Sequence, residues 1–201
     1  CSLLDSEQKQ AILQFYALPH VADTLRPIVI SQIAEGCRTI PRHDPARLGG
    51  FVVLLNHADP DQKNDIQAEA LAAAHALLEL NREFLHRPPA VAAADRDDDS
   101  PDEDASRALQ IVLPRLLRRA PLSEEVRALI ALIPEHWYPC RAAALRFDAE
   151  SLRPQRLNAI LTQVYSLPES MRASTLAQVA IHLEGDECYR LISEALAMGR
   201  R

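Results

Sequence analysis

The sequence predicts an all-α protein built from antiparallel helical hairpins. Ala and Leu dominate the composition, and both residue types favour helices. Only 5 of the 201 residues are Gly, so the tight turns that join β-hairpins are scarce. Apolar residues also recur along most of the chain at the spacing of one helix face. Together these observations favour helices over strands.

The apolar stripes predict which face of each helix is buried. Most of them have apolar residues at positions i, i+3, i+4 and i+7. In the C-terminal half they are Val126, Leu129, Ile130 and Ile133; Cys140, Ala143, Ala144 and Phe147; Leu157, Ile160, Leu161 and Val164; and Leu176, Val179, Ala180 and Leu183. In the N-terminal half they are Ile66, Ala70, Ala74 and Leu77, and a less regular set of Leu25, Ile28, Val29 and Gln32.

Pro and short polar residues mark the predicted helix boundaries. Pro suits the first helical turn, and an Asp or Ser before it can cap the helix. The predicted boundary signals are Asp44 with Pro45, Asp59 with Pro60, a capping box of Ser166 and Glu169, and Gly185 ending one helix with Asp186 capping the next. The resulting ten helices lie near 6–17, 21–35, 45–57, 61–86, 106–119, 123–133, 135–147, 152–165, 168–184 and 186–198.

The segment 51–58, FVVLLNHA, is ambiguous because adjacent apolar residues can also form a buried strand. No partner strand is evident, so we predict a fully buried helix.

The spacing of the prolines predicts a repeat. Pro114, Pro134 and Pro154 are separated by 20 residues each. One helix and turn every 20 residues gives a hairpin about every 40 residues, which is the period of HEAT and armadillo arrays. The sequence therefore predicts a HEAT/armadillo-like right-handed α-solenoid or an irregular helical bundle.

The acidic segment 88–106 divides the chain into two predicted halves. Residues 95–104 hold seven acids and one Arg, and Pro-Pro opens the segment. Such a segment buries too little apolar area to offset the entropy of ordering it. We predict N-terminal helical hairpins over 1–87, a disordered acidic loop over 88–106, and C-terminal helical repeats over 107–201.

Composition and motifs argue against several functions. The net charge is −6, and no segment is basic enough for a nucleic-acid interface. The four cysteines form no CxxC pair, so no metal site is predicted. The sequence contains no apolar run long enough to predict a membrane span. Because the chain lacks P-loop, GxGxxG, HExxH and GxSxG motifs, we predict no cofactor and no catalytic residue. The first residue, Cys1, leads us to expect a fragment or a processed form.

A basic helix directly follows the acidic segment. Its residues Arg115, Arg118 and Arg119 share one predicted face. One interpretation is a solvated surface. The other is that residues 95–104 fold back over these arginines and mask them until a partner protein displaces the loop.

Trp137 and Tyr138 lie in the predicted turn after Pro134, and Trp137 is the only tryptophan. Two interpretations are open, because such aromatics anchor interfaces and also fill junctions between helices.

The recurring element of Leu or Ile, Pro and a later Arg resembles the helical repeats of type III secreted effectors from plant-pathogenic bacteria. Leu167, Pro168, Arg172 and Leu176 carry the resemblance, and Ile133–Arg141 follows it less regularly. It implies a non-enzymatic protein-interaction module, secreted into host cells during virulence, that binds host proteins. Arg172 is then a candidate partner-binding residue, since no local role for it is evident.

The alternative is an enzyme or a ligand-binding helical bundle. Its polar site would lie near His182, Glu184 and Cys188, or near His57 and Asp59. Convergence of such side chains in one deep pocket would favour this alternative. If the chain is not secreted, we expect it in the cytoplasm.

Overall fold

The computed structural model describes residues 18–82 and 101–199, without the side chains of 101–105, 107 and 108. The all-α prediction is confirmed, since these residues contain helices and no strand. Two short 3₁₀ turns cover Leu18–His20 and Leu145–Phe147. The α-helices of the described residues are α1 (Arg26–Thr39), α2 (Pro45–Leu54), α3 (Pro60–Leu80), α4 (Pro101–Leu117), α5 (Glu124–Leu132), α6 (Tyr138–Ala144), α7 (Arg153–Tyr165), α8 (Glu169–Ala180) and α9 (Gly185–Met198). The helix predicted over 6–17 lies outside the described residues.

The described residues form two compact units. Residues 18–81 and 101–112 form the N-terminal unit, and residues 82 and 113–199 form the C-terminal unit. The predicted C-terminal half therefore begins too early, since residues 107–112 belong to the N-terminal unit.

Helix α4 also begins inside the segment predicted to be a disordered loop. Residues 101–106 are helical, so that prediction is wrong for them. The physical reason is the order of the residues: Pro101 suits the first helical turn, and the three acids after it favour a helix N-terminus. Residues 88–100 lie outside the described part of the chain.

In the N-terminal unit, α2 packs against both α1 and α3. The stripe predicted for α1 is wrong, because Leu25 and Ile28 are 55% and 57% exposed. The buried face instead carries Ile30, Ile33, Ala34 and Cys37, which follow the i, i+3, i+4, i+7 spacing with more apolar residues.

The ambiguous segment after residue 50 is helical as far as Leu54, which confirms a helix rather than a strand. The prediction of complete burial is wrong, because Val53 is 39% exposed whereas Phe51, Val52, Leu54 and Leu55 are buried. A helix on the surface of a small unit must turn one side toward solvent.

Buried and half-buried arginines join the helices of this unit. Arg38 Nε donates to Glu69 Oε1 at 3.0 Å, and Arg47 Nη2 donates to Glu69 Oε2 at 3.0 Å. Arg47 also donates through Nη1 to the carbonyls of Arg38 and Ile40 at 2.9 and 2.8 Å. These contacts satisfy the carbonyl end of α1 and connect it to α3.

In the C-terminal unit, α6 packs against α7 and α8, and α8 also packs against α7 and α9. The core between them is apolar and includes Ala142, Leu161, Val164, Leu176, Val179, Ala180, Leu191 and Ala195. These residues confirm the stripes predicted for α7 and α8. Contact between the alternate helices α6 and α8 occurs both in solenoids and in bundles.

Not every predicted helix cap is observed. Asp44 Oδ1 accepts a hydrogen bond from the Ala46 N–H at 2.8 Å, as predicted for the start of α2. The Ser166–Glu169 capping box is wrong: Ser166 Oγ donates to the Gln163 carbonyl at 2.6 Å, at the end of the preceding helix. Likewise Asp186 lies inside the first turn of α9, and Gly185 begins that helix with φ of 66°.

Candidate binding surface of the C-terminal unit

Arg115, Arg118 and Arg119 lie at the end of α4 and together line one cavity of about 330 Å³. We call these three residues the arginine cluster. All three are exposed, and none makes a side-chain hydrogen bond or an ion pair with a described residue. The structure therefore brings together the three arginines that the sequence placed on one helix face.

The sequence around the arginine cluster explains why α4 ends there. Pro121 disfavours helical backbone at the residue before it, and Ser123 Oγ caps α5 by accepting from the Val126 N–H at 3.2 Å. Arg146 Nη1 donates to the carbonyl of Leu117 at 3.2 Å and to that of Arg118. These bonds satisfy the carbonyl end of α4 and hold Arg146 beside the arginine cluster.

The structure describes residues 101–104 of the segment 95–104 that is predicted to mask the arginine cluster. Residues 101–104 belong to the same continuous helix as Arg115 and cannot fold back on it, so that part of the hypothesis is wrong. The remaining residues, 95–100, lie outside the described ranges.

A second cavity of about 530 Å³ lies next to the arginine cluster, and Arg118 lines both. We call it the His182 cavity. Its polar lining comprises Arg118, Arg146, Arg153, His182, Glu184 and Glu187, and its apolar lining comprises Ala142, Ala143, Leu145, Pro154, Leu157 and Leu183. Two residues of the polar site suggested by the sequence, His182 and Glu184, therefore meet in one cavity, whereas Cys188 does not line it.

His182 is held in its neutral form. Burial, reinforced by the positive charges of Arg118 and Arg115, lowers the pKa of His182 from 6.5 to about 4. The carbonyl end of α8 favours the imidazolium by up to about 1 kcal/mol, which is too little to reverse a decrease of this size. The Nδ1 atom of His182 is buried and has no hydrogen-bond partner.

The low pKa of His182 predicts a loss of stability in mild acid. The unfolded chain gains a proton near pH 6.5 while the folded state gains it only near pH 4, so the free energy of unfolding falls as the pH decreases through this range. Between pH 7.5 and pH 5 we expect His182→Gln to remove about 2 kcal/mol of this loss. Urea unfolding followed by the fluorescence of the single tryptophan measures it.

His75→Gln is the matched control, because His75 is exposed on the N-terminal unit and should leave the pH dependence unchanged. A His182→Gln variant that loses as much stability in acid as the wild type would show that His182 is protonated in the folded state.

The two aromatic candidates, Trp137 and Tyr138, differ in how deeply they are buried. Trp137 is 1% exposed, so its assignment as a partner-binding residue is corrected to a core residue that fills the junction before α6. Its backbone N–H donates to the Pro134 carbonyl at 3.1 Å, which closes the turn before α6. Tyr138 is half-buried and packs against the C-terminal core.

Arg172 has a local role that the sequence did not reveal. Its Nη2 donates to the Leu167 carbonyl at 2.9 Å, and its Nε is buried. The guanidinium therefore closes the turn that precedes its own helix, which gives Arg172 a structural role, and its role in binding a partner stays a prediction.

Cys140, His57 and Asp59 do not line the His182 cavity. Cys140 is buried, and burial raises the pKa of its thiol, so it stays protonated near neutral pH. His57 and Asp59 belong to the N-terminal unit. Within the described residues no group of three His, Cys, Asp or Glu side chains could hold a metal ion.

A third cavity of about 470 Å³ lies beside α5 and α7, and part of its charged lining already has partners. Arg156 pairs with Asp148 at 2.8 Å, and Arg141 Nη2 donates to the Ile133 carbonyl at 2.6 Å. Unlike the arginine cluster, this lining contains acidic side chains, Glu135 and Asp148, beside its arginines.

The class that the structure defines is an all-α protein whose C-terminal unit exposes three arginines without an acidic partner among the described residues. Comparison with known proteins finds no matching family model, no similar curated protein and no similar solved structure. No helix within the described ranges is both long and apolar enough to cross a membrane.

Proposed function

We propose that this chain is a non-enzymatic protein-interaction module that binds an acidic segment of another protein through the arginine cluster. The observation that supports the proposal is the convergence of Arg115, Arg118 and Arg119 on one cavity without an acidic partner among the described residues. Guanidinium groups bind carboxylates through paired hydrogen bonds, so the cluster offers several such sites to one short segment.

What distinguishes these three arginines is that they line one cavity with no acidic partner among the described residues. Other arginines are paired in the structure: Arg38 and Arg47 with Glu69, and Arg190 with Glu187 at 2.7 Å. A helix C-terminus favours cations, but only weakly at an exposed site. Three cations around one cavity repel one another, and a bound acidic segment would relieve that repulsion.

A protein segment fits the cluster better than a nucleic acid does. The net charge of the chain is −6, which opposes the approach of a long polyanion. Three arginines suffice for a short run of acidic side chains, whereas nucleic-acid binding uses an extended basic footprint.

The nature of the partner follows only from the resemblance described above. We keep as part of the proposal that the chain is a secreted bacterial effector acting in virulence, that its partner is a host protein, and that its helices form a HEAT/armadillo-like solenoid. The recurrence of Leu or Ile, Pro and Arg in 133–176 supports this part of the proposal.

The proposal predicts salt-dependent binding of an acidic peptide. Combined replacement of Arg115, Arg118 and Arg119 by Gln should weaken the binding of a fluorescent peptide of alternating Asp and Glu at least about tenfold at low salt. Each lost charge-assisted hydrogen bond at an exposed site contributes only about 0.5 kcal/mol, and three together give this factor. Fluorescence anisotropy measures it.

Replacement of Arg42 and Arg127 by Gln provides the control, because both are exposed and outside the arginine cluster. Their loss changes the net charge without removing the cluster, so binding should change less than twofold. Equal weakening by both sets of substitutions would mean that the peptide senses only the overall charge, and the proposal would fail.

A further inference from the structure

The His182 cavity is a second potential ligand site, distinct from the arginine cluster that the proposed function uses. It is open to solvent, has room for a small molecule, and combines a cationic end with an apolar lining. From this combination we infer that the His182 cavity binds a small carboxylate that carries an apolar body.

The cationic end of the cavity is held in place before any ligand arrives. Arg146 uses Nη1 on the carbonyls of Leu117 and Arg118, and Arg153 donates through Nε and Nη2 to the carbonyls of Asp148 and Arg146, both at 3.1 Å. Each guanidinium keeps further N–H donors for a ligand. Because their positions are fixed, a carboxylate binds without the entropic cost of ordering them.

The charges around the cavity leave a positive excess. Glu187 is paired with Arg190, whose Nε and Nη2 lie 3.1 and 2.7 Å from its Oε2. The unmatched groups are therefore Glu184 on one side and Arg118, with Arg146 and Arg153, on the other. This excess attracts one carboxylate, while Glu184 opposes a second anionic group on the same ligand.

The rest of the lining suits an apolar body. Ala142, Ala143 and Leu145 come from α6 and the turn after it, Leu157 comes from α7, and Leu183 lies in the bend between α8 and α9. Ala142 and Ala143 are small, and this leaves the space that the cavity occupies. Apolar lining with a few convergent polar groups is the usual composition of small-ligand sites.

His182 adds a directional contact. Its imidazole is neutral, and its buried Nδ1 lacks a partner in the protein. Buried polar atoms in proteins are nearly always hydrogen-bonded, so a lining residue with an orphan nitrogen is a candidate contact for a ligand. A neutral imidazole can donate to a carboxylate without carrying a charge of its own.

Octanoate is the probe for this inference, and octanol and octylamine of the same chain length are its controls. Titration of the full chain by calorimetry should show saturable binding of octanoate and at least about tenfold weaker binding of both controls. Octanedioate should also bind less tightly than octanoate, because Glu184 repels its second carboxylate.

Arg118→Gln and Arg119→Gln form the matched pair of variants. Both residues are exposed and belong to the arginine cluster, but only Arg118 also lines the His182 cavity. We expect Arg118→Gln to weaken octanoate binding about tenfold and Arg119→Gln to leave it within twofold. The acidic peptide should instead respond to both substitutions, which separates this inference from the proposed function.

Several outcomes would overturn the inference. Octanol that binds as tightly as octanoate would show an apolar pocket without a carboxylate site. Equal effects of Arg118→Gln and Arg119→Gln would show a general charge effect. Binding of a short peptide with an apolar C-terminal residue and a free carboxylate, without binding of octanoate, would assign the cavity to the C-terminus of a protein.

Discussion

Replacing Arg47 with Met should lower the free energy of unfolding of the N-terminal unit by about 3 kcal/mol. Arg47 is 7% exposed and donates to Glu69 and to the carbonyls of Arg38 and Ile40. Met keeps the apolar stem but leaves these acceptors without a donor. Glu69 retains Arg38 and is partly exposed, so the cost lies at the lower end of the range for a broken buried ion pair.

Urea unfolding followed by far-ultraviolet circular dichroism tests this prediction. Arg42→Met is the matched control: Arg42 is exposed between α1 and α2, and its replacement should change stability by less than about 0.5 kcal/mol. If Arg47→Met is as stable as this control, water must reach the carbonyls at the end of α1, and Arg47 does not hold the helices together.

The pKa of Glu69 supplies an independent check on the same network. Burial alone would raise this pKa, but hydrogen bonds from Arg47 and Arg38 outweigh burial and lower it. A carboxylate with a lowered pKa stabilises the folded state above its unfolded pKa of 4.5, and this contribution is lost as the pH falls through the folded value. Arg47→Met should therefore weaken the acid dependence below about pH 5.

Local sequence signals predicted helices and many of their limits, because those signals act within one or two turns. Pro45 and Pro60 begin α2 and α3 as expected, since Pro favours the first turn wherever the chain places it. The apolar stripe of Ile66, Ala70, Ala74 and Leu77 is buried as predicted. Both signals, the Pro in the first turn and the apolar stripe, can be recognised without knowing what the helix packs against.

Predictions failed where two local signals competed. In α1 two stripes of the same spacing overlap, and the buried one is the more apolar set that begins at Ile30. In 101–106 acidic residues argued for disorder, but the same charges at a helix N-terminus favour helix. In each case the sequence contains both signals, and the signal that the prediction followed is not the one that the structure obeys.

The candidate site could be predicted only in part, because its members are distant in sequence. His182 and Glu184 were noticed as a local polar group, but Arg118, Arg146 and Arg153 precede His182 by 64, 36 and 29 residues. Only packing of the helices brings these side chains to one cavity. The arginine cluster was predictable, since its three residues lie within one and a half helical turns.

Replacing Trp137 with Ala should destabilise the C-terminal unit by about 4 kcal/mol. Trp137 is among the largest fully buried side chains, and Ala would leave a cavity at the junction between α5 and α6. Circular dichroism in urea measures the effect, because the variant has no other tryptophan to follow. Met171→Ala, at an exposed residue, should cost less than about 1 kcal/mol.

Trp137→Phe separates the core role of this residue from a role in binding a partner. Phe retains most of the buried apolar volume, so the unit should stay folded with a smaller loss of stability. Because the side chain at position 137 is buried, this variant should bind the acidic peptide with wild-type affinity. A folded Trp137→Phe protein with clearly weaker binding would restore Trp137 as an interface anchor and would require the junction to open when the partner binds.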